Sequence, residues 1–334
     1  MTAAAFGTGS LGALSAAAAG LIYGQTKLAR RRIRPAEADP PRADGVWLAP
    51  GAPAAEPPLL LAMLGDSSAA GYGVHTDAET PAAQIAMGLS ALAQRPVQLR
   101  NVAVVGAQSS ALVRQVGLVL DERPDLVVIM IGANDVTHRI RASESVRHLS
   151  AALNVLAEHN LQVVVATCPD LGTIRPIGQP LRWLARRLSR TLAAAQAVAV
   201  VGTGARAVSL GDILGPEFAS SRDYFSDDQF HPSAIGYARA AEVLLPSAAA
   251  ALGLSTLSEP AAPFTSTRAR PVAKAAARAA GLPGTEVLPA QVRGELSGRR
   301  GPWARLIRRR AVTVIPHTSS GEENFTPATM VDSD

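Results

Sequence analysis

Five short, largely apolar runs, at residues 59–64, 97–104, 125–131, 161–167 and 205–209, mark the middle of this chain. The segments between them carry apolar positions at helical spacing. Leu59-Leu-Leu-Ala-Met-Leu64, bounded by Pro57-Pro58 and Gly65, lacks the polar alternation of a half-exposed strand. That pattern predicts a strand covered on both faces. The intervening segments predict helices at about 80–94, 108–121, 143–159 and 179–200, with a last one at 232–250. Pro81 and Pro232 fall at first turns, where a missing N–H costs nothing. Strands that alternate with helices need parallel crossovers. The expected fold is therefore an α/β class, three-layer α/β/α sandwich on a mainly parallel five-stranded sheet.

The pattern changes on both sides of this region. Residues 3–23 are almost entirely Ala, Gly, Leu and Ser without charge, and Lys27, Arg30, Arg31 and Arg32 follow at once. Length and flanking charge predict that residues 3–23 form a single N-terminal membrane span, the anchor with its basic flank making up residues 1–34, with the rest of the chain on the cytoplasmic side. An exported, cell-envelope location is the alternative. Residues 35–58, rich in Pro, Ala, Asp and Glu, read as a linker. They lead into a domain of alternating strands and helices expected over 59–253. From 254 to 334 sustained periodicity is lost, which predicts a basic, irregular tail.

Charge refines this division. The 334 residues carry a net charge of +5, yet the basic residues gather in the arms. Eleven Lys and Arg stand between residues 268 and 310 against Glu286 and Glu295, while residues 35–267 are net acidic. A nucleic-acid partner is therefore not expected. The basic tail is a second candidate for contact with a lipid surface. The segment Arg175–Arg190, with Leu181, Leu184 and Leu188 at helical spacing around Trp183, reads either as a helix covering the sheet or as a basic, aromatic lip near a pocket.

Candidate chemistry collects at the ends of the predicted strands, where open α/β sheets bind ligands. Gly65-Asp66-Ser67 follows the first strand, Gly106 the second, and Gly132-Ala133-Asn134-Asp135 the third. Far downstream, Asp228-Gln229-Phe230-His231 sets a carboxylate three residues from an imidazole. A serine in this position is either a helix cap or a nucleophile. A nucleophile needs a base, and the base an orienting acid. Asp66 and Asp135 read as turn-stabilising carboxylates, and Asp227 as solvent-facing. The single cysteine, Cys168, reads as a small buried side chain. No HExxH, CxxC or paired-carboxylate cluster calls for a metal. Gly7-Thr-Gly9-Ser-Leu-Gly12 has the letters of a dinucleotide fingerprint but no strand before it, so no cofactor is expected.

These four blocks, in this order, resemble the SGNH or GDSL-like hydrolases over roughly residues 59–250. One departure is Ser68, where the commonest family version has leucine. The resemblance implies an SGNH, flavodoxin-like fold and a serine esterase of the lipase-like type, acting on acyl-ester small molecules or lipids without metal or cofactor. It further implies Ser67 as nucleophile, His231 as base, Asp228 as orienting acid, and an oxyanion hole made by the Ser67 and Gly106 amides and the Asn134 side chain. An acyltransferase using the same acyl-enzyme, or a nonenzymatic tether to membrane or nucleic acid, are the alternatives.

Overall fold

The computed structural model describes residues 5–33, 38–255, 272–282 and 284–287. In chain order the helices are α1 (Ala5–Arg32), α2 (Ser67–Ala70), α3 (Pro81–Ala93), α4 (Leu112–Gly117), α5 (Ala133–Thr137), α6 (Ala142–Glu158), α7 (Leu181–Gly202), α8 (Leu210–Ile213), α9 (Gly215–Ser220), α10 (Ala234–Ala251) and α11 (Val272–Ala279). The strands are β1 (Gly45–Trp47), β2 (Leu59–Gly65), β3 (Val97–Asn101), β4 (Leu126–Met130), β5 (Gln162–Ala166), β6 (Arg206–Val208) and β7 (Thr285–Glu286). They form one sheet in the order β1-β3-β2-β4-β5-β6-β7. Among the described residues only β1 runs antiparallel to its neighbour.

The five central strands are those the sequence predicts, and the three-layer architecture holds. Alternate residues of β2 face opposite layers: Leu61 and Met63 pack with Ile85 of α3 and Leu244 of α10, whereas Ala62 and Leu64 pack with Val116 of α4 and Leu153 of α6. Both faces are thus buried, which is why no polar alternation is visible in the run. Helix ends follow local chemistry. Thr80 Oγ1 accepts from Ala83 N at 3.2 Å ahead of Pro81, and Ser233 Oγ accepts from Gly236 N at 3.2 Å to start α10.

Several expectations need correction. Among the described residues the sheet has seven strands, not five. Residues 38–58 are not a free linker: β1 pairs with β3, Ala43 and Ala49 are buried, and Ala49 N donates to Ser90 Oγ at 2.9 Å. An irregular tail from 254 does not hold for residues 272–282 and 284–287, where α11 packs on α7 and β7 extends the sheet beside β6. The remaining basic tail, including Trp303–Arg310, lies outside the described residues. The helix expected over 108–121 is shorter, a 3₁₀ turn at Ser109–Ala111 followed by α4.

The predicted membrane span is also overturned. Among the described residues no helix is long and apolar enough to cross a membrane. α1 does cover the expected segment, but it is a mixture of Ala, Gly, Ser and Thr that continues without a break into Gln25, Lys27 and Arg30–Arg32. Its last turns meet protein instead, with Ala29 buried. The cytoplasmic placement drawn from that span falls with it.

Candidate active site

At the end of β2 the chain turns from strand to helix in a very small space. A Cβ on Gly65 (φ +139°) would stand 1.8 Å from Met130 O on β4, so only glycine passes. Gln115, buried on α4, holds that glycine from both sides: Gly65 N donates to its Oε1 at 2.8 Å, and its Nε2 donates to Gly65 O at 2.9 Å. The next residue, Asp66, caps α2 by accepting from Ser68 N at 2.9 Å. Ser67 is thereby fixed in the first turn of α2, with only 6% of its surface exposed.

The other half of the site comes from the loop before α10. Phe225 and Pro232 form an isolated bridge, and Ser226 N donates to His231 O at 2.9 Å. Inside this closed loop Asp228 Oδ1 accepts from Ser226 Oγ (2.7 Å), Phe230 N (2.8 Å) and His231 N (2.9 Å). Asp228 Oδ2 lies 2.6 Å from His231 Nδ1, and His231 Nε2 lies 2.9 Å from Ser67 Oγ. Burial works against the charged form of Asp228, but the hydrogen bonds from His231, Phe230 and Ser226 outweigh it and hold the carboxyl below its usual range. A charged Asp228 accepts from Nδ1–H, which leaves Nε2 free to receive the serine proton. Tyr72 and Phe230 meet the imidazole edge-on, at centroid distances of 4.6 and 4.9 Å. The Tyr72 carbonyl is itself held by buried Tyr237 Oη at 2.8 Å.

Gly106 and Asn134 sit at the ends of the strands flanking β2. Ala107 N donates to Val104 O at 3.0 Å, and Gly106 at φ +80° occupies the third position of that turn. This is the arrangement of a type II turn, which demands glycine there. A Cβ on Gly106 would meet nothing within 4 Å. Backbone conformation rather than crowding therefore accounts for the residue. Asn134 lies in the first turn of α5, entered through Gly132 (φ +135°), where a Cβ would stand 2.9 Å from Cys168 Cβ. Among the described residues no hydrogen bond engages the Asn134 side chain, so its amide is available to a ligand.

The rival carboxylates do structural work. Asp135, 1% exposed, accepts from Ser109 N and Ser109 Oγ, each at 3.1 Å. Burial of Asp66 pushes its carboxyl up to about 6, partly offset by the hydrogen bond from Ser68 N and by the nearby His231. Between about pH 4 and 6 the folded protein therefore holds a proton on Asp66 that the unfolded chain has released. Stability should fall as pH rises through that window, by about 3 kcal/mol in all. Asp66→Asn, which keeps an acceptor for Ser68 N, should remove this decline. Melting temperatures measured from pH 4 to 7 for both proteins check it.

A pocket opens beside His231, with Asp66 and Ser68, the two neighbours of Ser67, in its lining. Its walls are apolar, formed by Met130, Leu171, Ile174, Leu214, Phe218 and Phe230 among others. No residue of the segment Arg175–Arg190 is among its lining residues. Trp183 and Leu188 are exposed, Arg187 lies over the Trp183 ring at 5.6 Å, and the buried face of α7 begins only at Ser189. Cys168 is buried and its thiol is pushed well up, first by burial and then by Asp66, Asp135 and Asp170. No cluster of three metal-ligating side chains occurs among the described residues. Sequence reasoning missed Gln115 and its counterpart on α7, Gln196, which accepts from Cys168 N at 2.7 Å and donates to Ile131 O at 3.1 Å. Each is an amide on an otherwise apolar helix face, and that anomaly was the available signal.

The chain is similar to several known proteins. The model of the GDSL-like lipase/acylhydrolase family matches residues 63–239. A GDSL-like esterase of Mycobacterium tuberculosis (Rv1075c) is 41% identical over 250 residues, covering 72% of this chain and 78% of that protein. Among solved structures, the lipase/acylhydrolase from Enterococcus faecalis is 21% identical, with a TM-score of 0.44, over 56% of this chain and 93% of its own. TesA is 19% identical, with a TM-score of 0.47, over 56% of this chain and 96% of its own.

Proposed function

The chain belongs to the GDSL-like lipase/acylhydrolase family, and on that premise we propose that it is a serine esterase that hydrolyses acyl esters through an acyl-enzyme on Ser67. The observation that carries the reading is the unbroken relay from Ser67 Oγ to His231 Nε2 at 2.9 Å and from His231 Nδ1 to Asp228 Oδ2 at 2.6 Å. In this reading Ser67 attacks the ester carbonyl while His231 takes its proton. Asp228 fixes the tautomer and stabilises the imidazolium. His231 then returns the proton to the departing alcohol. Water, activated by the same imidazole, releases the acid. Residues 59–253 form the catalytic domain, enlarged by 38–58 and 272–287. The nonenzymatic tether raised by the basic arms is set aside, because the family is one of hydrolases.

The tetrahedral oxyanion is met by the Ser67 and Gly106 amides and by Asn134. Support comes from the placement of all three at adjacent strand ends and from the unengaged Asn134 amide. Loss of one such donor costs on the order of 10²–10³ in kcat, so Asn134→Ala should fall by that factor with little change in melting temperature. Gly106→Ala should lower kcat as well. It must also either hold alanine at φ +80°, at a cost on the order of 1–3 kcal/mol, or flip the turn and withdraw the amide. Steady-state kinetics beside thermal melts separate the two.

The acyl-enzyme itself is open to a direct test. Rapid mixing with a nitrophenyl ester should release a burst of nitrophenol near one equivalent, with an acyl mass increment on the peptide containing Ser67. Linear release without any increment on that peptide, under conditions where deacylation is slowed by low pH, contradicts the mechanism. Product analysis with added alcohols decides whether water or an alcohol is the preferred acceptor.

A further inference from the structure

α1 meets the catalytic domain at a defined place. α7 begins after Pro180, a residue that offers no side-chain cap, so the first N–H groups of that helix must find acceptors elsewhere. Gln25 of α1 supplies one: Leu181 N donates to Gln25 Oε1 at 3.0 Å, and Gln25 Nε2 donates in turn to Gln179 O. One turn further along α1, Ala29 is buried and Ile33 half-buried. Both belong to the apolar cluster that contains Leu171, Ile174, Phe225 and Phe230. Those same four residues line the pocket beside Ser67 and His231. The helix is thus built into the back of one pocket wall, while Gln25 and Ala29 themselves stand outside the pocket lining.

We propose that α1 is a specificity element of this hydrolase: by capping α7 through Gln25 and packing Ala29 behind the Leu171–Ile174 wall, it shapes the pocket beside Ser67, and that pocket receives the apolar acyl chain of the ester. The proposal rests on the serine-esterase reading. The acyl chain is assigned here, rather than the alcohol, because the two products leave in turn. The alcohol must depart before water can reach the acyl-enzyme, whereas the acyl group stays attached to Ser67 until the second step. A walled, apolar pocket suits the group that stays. The wall between β5 and α7 carries Leu171 in a 3₁₀ turn and Ile174 and Ile177 in irregular backbone. A wall of that kind depends on what packs behind it.

The test uses the full-length chain and a series of nitrophenyl esters from acetyl to octanoyl. Each methylene buried in an apolar site is worth about a fourfold gain, so the native enzyme should prefer butanoyl over acetyl by about 15-fold in kcat/KM. In Gln25→Ala and in Ala29→Arg that preference should drop to about fourfold or less, through a raised KM for the longer esters. Acetyl turnover and the rate of labelling by a small methylphosphonate should stay within about twofold. Gln25→Glu keeps an acceptor for Leu181 N and places negative charge at a helix N-terminus but loses the donor to Gln179 O, so it should recover part of the native length profile. Equal loss for acetyl and longer esters would show that α1 contributes only stability and overturn the proposal. An unchanged profile in both variants would overturn it too, and so would a matched series of alkyl acetates in which the native enzyme's preference follows the length of the alcohol while the acyl series stays flat. Labelling of the native enzyme separates these outcomes from failure of the catalytic reading: a labelled enzyme with a flat length series rejects the pocket assignment alone.

Discussion

Ser67→Ala should lose ester hydrolysis by on the order of 10⁵–10⁶ in kcat, the scale on which triads acting as a unit fail when the nucleophile is removed. The residue is 6% exposed and its hydroxyl already lies 2.9 Å from the imidazole, so deletion of one oxygen should leave the fold intact. Ser68→Ala is the matched control. Ser68 serves the site through its backbone, whose N–H caps onto Asp66 at 2.9 Å. Alanine preserves that bond, and the variant should keep activity within a few-fold. Hydrolysis of a nitrophenyl ester, followed to the limit set by the uncatalysed rate, reads both.

Removal of the base should be nearly as severe, and the way it combines with loss of the acid is diagnostic. His231→Ala should cost at least the 10²–10⁴ that general-base catalysis contributes. Asp228→Asn should cost about 10⁴, since an amide that donates toward Nδ1 favours the wrong tautomer. The double variant should be no slower than the worse single one, because either change already breaks the relay. Additive losses would mean that the two residues act separately, despite their 2.6 Å contact. Asp228 also receives bonds from Ser226, Phe230 and His231 N, so melting temperatures belong beside the rates.

The chain reveals its centre more readily than its edges, for a physical reason. β2 and β4 are buried on both faces, and their unbroken apolar runs end in small residues that let the backbone turn sharply. The strand, its end and the chemistry there are therefore read together. β1 and β7 contain three and two residues, too few to carry a period. Thr285 and Glu286 are polar residues buried by their neighbours, so composition alone argues against them. The stretch before β2 looks like a linker because it is rich in proline, yet Ala43 and Ala49 anchor it. α1 misleads in the opposite direction: low charge and a basic flank fit a span, whereas Gln25 and Ala29 show a helix docked on protein. The relay was legible because its residues fall in short motifs at strand and helix boundaries. Gln115, Gln196 and the Tyr72 ring beside His231 were not, since each acts on a residue distant in the chain.

The central claim is that Ser67 Oγ is the nucleophile, and a phosphonofluoridate tests it without any assumption about substrate. The native protein should gain one phosphonyl mass, located by peptide mapping on Ser67, in step with the loss of esterase activity, and Ser67→Ala should gain none. Full inactivation with the label on any other residue, or undiminished labelling of Ser67→Ala, would contradict the account.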